Sequence, residues 1–154
     1  MRNWVRGLVV ILLGLALGTP AVAEGLIMVR MDKQFPEAMA LLQSAISSHG
    51  YTITRLQQVN ENLERREFRS DMYRVVYFGK LDEVRKATAI EPELIPFLPL
   101  NVTIFAEGEQ SILVTSHPRM LAGFFPTPAL KPLFERWEHD IETIMDQLRE
   151  DSAP

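Results

Sequence analysis

Near the end of the chain, Phe134, Trp137, Ile141, Ile144, Met145 and Leu148 recur at helical intervals. That spacing places them on one side of a helix expected over Leu133 to Arg149. Glu135, Glu138, Asp140, Glu142 and Asp146 are read as lying mostly outside the stripe. Most helical stability in proteins comes from packing an amphipathic face, so this helix needs a surface to lie against. The rest of the chain supplies one in the form of strands.

Tyr73 to Phe78 (YRVVYF) is aromatic and β-branched and stops at Gly79, which marks a strand. Val102 to Glu107 and Ser111 to Thr115 form the clearest hairpin, turning at Gly108. Leu26 to Met31 and the β-branched run Tyr51 to Val59 add two more strands. Between those two, Phe35, Met39, Leu42 and Ile46 share a helical face that starts at Pro36 and ends before Gly50. Leu81 to Ile90 can form a short helix. Asn60 to Asp71 and Ser116 to Pro128 read as loops, and three prolines make Glu91 to Leu100 an extended crossing. The order is strand, helix, four strands, helix: an α+β layer, helices on one face of an antiparallel sheet.

The first 23 residues read differently. Arg2 and Arg6 charge the start, Gly7 to Leu17 is uninterruptedly apolar, and Ala21-Val22-Ala23 offers small residues at the positions a signal peptidase must fit. Cleavage between Ala23 and Glu24 is expected, giving a signal peptide at 1–23 and one globular domain at 24–154. An uncleaved anchor is the alternative, but spanning a bilayer takes about 20 apolar residues and this run is shorter. The product is expected to be exported, periplasmic or secreted, meeting a membrane only in transit.

Removing the leader leaves 131 residues of the 154 and takes away two arginines and no acid, so the net charge moves from −4 to −6. An acidic domain repels the phosphate backbone, so nucleic acid is not an expected partner. The chain has no cysteine, which excludes disulfides, thiolate metal sites and thiol nucleophiles.

Candidate sites are sparse. His49, His117 and His139 share no i, i+4 spacing and no ligand motif, so no metal is assigned. His49 suits a helix-end cap, and His117 and Met120 share a loop but make only two ligands. Met28 and Met31 resemble a thioether pair, but residues three apart in a strand point to opposite faces. No catalytic constellation, phosphate loop or cofactor motif is present. Arg65, Arg66, Arg69 and Arg74 form a basic cluster, diluted by Glu61, Glu64, Glu67 and Asp71. Tyr73 and Tyr77 share a strand face. With Phe105 and Trp137 they either fill the core or line a cavity between the sheet and the last helix. In the second case Arg65, Arg66 and Arg69 would sit at the mouth and favour an acid-bearing amphiphile.

The segments YRVVYFGK (73–80), EPELIPFLPLNVTIFAE (91–107), TSHPRML (115–121) and LFERWEHDI (133–141) resemble domain-of-unknown-function family 302. The resemblance implies a TATA-binding-protein-like fold with a long C-terminal helix across a curved sheet, and pairing as a homodimer. Many members carry cysteines where this chain reads Phe78-Gly79-Lys80 and Pro99-Leu100-Asn101, so thiol chemistry does not transfer. Two functions stay open: binding a small apolar or amphipathic ligand, or acting as a non-enzymatic homodimeric module of the cell envelope.

Overall fold

The structure is a computed structural model and describes residues 25–59 and 72–152. The leader, its cleavage point at Ala23 and Glu24, and the arginines at 65, 66 and 69 lie outside those residues. Five strands, β1 (Leu26–Met31), β2 (Thr52–Gln58), β3 (Tyr73–Gly79), β4 (Leu100–Glu107) and β5 (Gln110–Ser116), form one sheet. The spatial order is β1-β5-β4-β3-β2, and every neighbouring pair is antiparallel. Helix α1 (Phe35–Ser48) follows β1, α2 (Leu81–Ile90) follows β3, a single turn α3 (Leu121–Phe124) follows β5, and α4 (Lys131–Glu150) ends the chain. No helix among the described residues is long and apolar enough to cross a membrane.

Alternation along the strands divides the sheet into two faces. Val29 and Met31, Val76 and Phe78, Val102 and Ile104, and Leu113 join one buried cluster with residues of α1, α2 and α4. The helix-facing layer is well occupied: Trp137, Phe134, Ile144, Met145 and Leu148 are all at most 1% exposed. Tyr73, Val75, Tyr77, Thr103, Phe105 and Val114 point the other way and are half-buried. Met31 is in the core while Met28 is 55% exposed, as strand alternation requires.

Local rules account for the turns. Gly50 at φ +75° closes α1, and Gly108 at φ +62° makes the β4–β5 turn, both in the left-handed region that glycine tolerates. His49 caps α1 through Nδ1, 2.9 Å from the Ala45 carbonyl oxygen. Two segments expected to be irregular are short helices instead. Pro92–Phe97 and Pro118–Met120 are 3₁₀ turns that begin on a proline, where a missing N–H costs nothing. The crossing that follows contains a cis Leu98–Pro99 bond.

One irregularity positions a side chain. In β2, Ile53 lies opposite Phe78 but Arg55 lies opposite Tyr77, so Thr54 is an extra residue. The bulge turns Arg55 onto the face that carries Tyr77. A regular ladder would place it opposite Val76, on the helix-facing side.

Candidate functional site

The end of the sheet where β3 and β5 finish is roofed by the proline-rich crossing on one side and by the 118–124 turns on the other. Between them lies a cleft of about 430 Å³, lined by Tyr77, Phe97, Leu98, Leu100, His117 and Phe124 among others, with Ile141 of α4 contributing to the lining. A second hollow, walled by Thr54 and Arg55, shares Tyr77, Pro96, Leu98 and Pro99 with the first. The aromatic rim is exposed: Phe97 is 48% and Phe124 67% open to solvent, their rings nearly parallel with centroids 6.3 Å apart.

His117 is held by a buried carboxylate. Its Nδ1 donates to Glu138 Oε1, while the Arg119 backbone N–H donates to Oε2 at 3.0 Å. The Arg119 guanidinium adds its charge, with Nε 3.5 Å from Oε1. Burial works to raise the Glu138 carboxyl. The Arg119 amide, the His117 hydrogen bond and the two positive charges outweigh it and hold the group below the usual glutamate range. With Nδ1 engaged by Glu138, Nε2 is the ring nitrogen left for another partner.

Glu142, one helical turn further along α4, brings a carboxylate oxygen near this pair, and one ligand atom from each of the three lies within 4.8 Å of the others. Both Glu138 oxygens are already engaged and a guanidinium sits beside them. The arrangement is an imidazole–carboxylate dyad anchoring the 117–121 turn to α4, rather than an open cation cage.

The residues expected to form a site are only partly brought together. Tyr77 lines the cleft. Tyr73 and Phe105 pack edge to face, centroids 6.4 Å apart, on the same sheet face but further along it. Trp137 is on the opposite side of the sheet, in the core, with Nε1 donating to Glu83 at 2.7 Å. The four cannot line one cavity, because the strand period that puts Tyr73, Tyr77 and Phe105 together points them away from α4. Arg74, one residue from Tyr73, accordingly faces the helices, 5.8 Å from the Phe35 ring.

Sequence reasoning missed His117 and Glu138 as a pair and placed Glu138 outside the apolar stripe, whereas it is 7% exposed. A signal was available. Position 138 is four after Phe134 and three before Ile141, so an acid there lies on the stripe and must be buried with a partner. Arg55 was missed for lack of any signal, since the bulge that aims it has no sequence mark.

A family model described as "Domain of unknown function DUF302" matches residues 27–148. The chain belongs to the DUF302 family. A crystal structure described as an uncharacterized conserved protein DUF302 from Bacillus stearothermophilus superposes with a TM-score of 0.73 at 19% identity, covering 80% of this chain and 98% of that one. At that identity the likeness speaks for the DUF302 fold alone. No curated protein matches the chain.

Proposed function

We propose that the chain is an exported domain that binds a small, largely apolar or amphipathic molecule in the cleft at the end of the sheet. The observation that carries this reading is the cleft itself. Its volume of about 430 Å³ falls within the range of small-molecule sites, about 300–1,000 Å³. Its lining sets an apolar wall from the proline-rich crossing against polar groups from Tyr77, Asn101, Thr115, Ser116 and His117, as an amphipathic molecule would need. The signal-peptide pattern before Glu24 supports export, and the ligand would then be met outside the cytoplasm.

The test is a thermal-shift screen of the mature chain with fatty acids, aromatic acids and quinone-like compounds. A compound at a hundred times its dissociation constant stabilises the fold by about 2.7 kcal/mol. A hit whose shift disappears in Leu98→Glu, with the unliganded transition little changed, supports the cleft. A panel with no shift at all contradicts it.

A second reading has its own observation. The sheet face opposite the helices carries Tyr73, Val75, Phe105 and Val114 with Met28 exposed, an apolar surface that no described helix covers. A second copy packed face to face would bury it, and a stable dimer needs about 800 Å² from each partner. In this reading the chain is a non-enzymatic homodimeric module of the envelope. Sedimentation equilibrium on the wild type and Phe105→Glu decides: a dimer split by the substitution supports it, and a wild-type monomer removes it.

A further inference from the structure

We propose that the cleft selects a monocarboxylate with an apolar body, and that Arg55 receives the head group. The inference rests on the cleft-binding reading and adds the ligand class and the residue that sets it. Three independent features converge on Arg55.

The first is the bulge. Thr54 and Arg55 both stand against Tyr77, because the ladder steps from Ile53–Phe78 to Arg55–Tyr77 with one residue left over. Thr54 fixes the insertion by donating its hydroxyl to the Tyr77 carbonyl oxygen at 3.2 Å. The consequence is to lay the guanidinium carbon 4.4 Å from the centre of the Tyr77 ring, and that ring is a wall of the cleft. Bulges are over-represented at sheet edges, where β2 lies, and beside active sites, where they re-aim a side chain.

The second is that the cation is uncompensated. Arg55 Nη2 donates to Gln57 Oε1 at 2.8 Å, and the Tyr77 hydroxyl donates to the same oxygen at 3.4 Å. No carboxylate among the described residues pairs with Arg55, although Arg30, Arg119, Arg136 and Arg149 all have acidic partners. The guanidinium has five N–H donors, so most remain for a planar two-oxygen acceptor. The stacked ring holds the fork in one plane and lowers the entropy lost on binding.

The third is charge selection along the lining. The sequence has 20 acidic residues against 16 Lys and Arg, yet no Asp or Glu among the described residues lines either hollow sharing the Tyr77 wall. The fixed charge among the described lining residues is Arg55, in the second hollow. Among the described residues an anionic head there meets one cation and no like charge. The apolar body lies along Leu98 and Pro99 toward Phe97 and Phe124, with His117 in the lining at the far end.

The experiment is calorimetric titration of the mature chain with matched pairs: 2-naphthylacetate against 2-(2-naphthyl)ethanol, and dodecanoate against dodecanol. The wild type should favour each acid by about tenfold or more, as hydrogen bonds to charged groups do. That preference should shrink as salt rises, because Arg55 is exposed. Arg55→Gln should abolish the preference by lowering acid affinity far more than alcohol affinity. Arg55→Lys keeps the edge-strand charge but not the fork, and should keep only part of it. Equal affinity for acid and alcohol in the wild type, or an acid preference intact in Arg55→Gln, would overturn the head-group assignment and leave cleft binding standing. Failure of all four probes to bind would overturn both.

Discussion

At the scale of single residues, Glu138 fixes one end of the cleft through contacts that depend on its charge. Its carboxyl is held below the ordinary value of 4.5 because the folded state supplies an amide, an imidazole and a guanidinium that the unfolded chain does not. A group lowered in this way contributes stability that is present above its unfolded value and is lost as pH falls through its folded one. The wild type should therefore lose thermal stability faster than Glu138→Gln as pH is lowered from 6 toward 3. Parallel pH profiles for the two would contradict the sign. Glu83 has a comparable duty, taking the buried Trp137 indole N–H at 2.7 Å and Arg136 at 2.9 Å. Glu83→Ala leaves that N–H unpaired and should cost about 1–3 kcal/mol in urea unfolding. Tyr51 repeats the pattern: burial first, then its 2.8 Å bond to Asp140, pushes the hydroxyl well above the ordinary tyrosine value.

At the scale of elements, α4 is the clearest product of its sequence. The stripe from Phe134 to Leu148 is buried as its period requires, and Trp137 is 1% exposed. Trp137→Ala should cost about 3–5 kcal/mol, a large share of a typical domain stability of about 5–15 kcal/mol. A change under about 1 kcal/mol would mean the indole contributes little packing. The hairpin, the α1 boundary at Gly50 and the α2 span were equally legible, because each rests on local chemistry: a left-handed glycine, a period, a run of β-branched residues. The 92–97 and 118–124 turns were not, because helical pieces of only one or two turns show too little of a period to detect. The Thr54 bulge was invisible for a different reason: it is set by the register of β2 against β3, a nonlocal quantity. The site was read less well than the fold because it is assembled from those nonlocal parts. Tyr77 is shared by the expected and observed sites, while Arg55 and His117 enter only once strands and turns are placed.

At the scale of the whole molecule, a five-stranded sheet with helices on one face has two kinds of unused surface. One is the bare face with Phe105, suited to a second copy. The other is the end of the sheet, where the proline-rich crossing and the 118–124 turns stand apart. N-terminal sequencing of exported protein should find Glu24 first, and a start at Met1 would contradict processing at Ala23. The cleft can be tested at the resolution of residues by titrating ¹⁵N-labelled mature chain with 2-naphthylacetate and following the backbone amides. Cleft binding predicts shifts concentrated at Tyr77, Leu98, Leu100, Asn101, Thr115 and His117, with Tyr73 and Phe105 unmoved. Shifts confined to the Tyr73–Phe105 face, or no shifts at all, would contradict it.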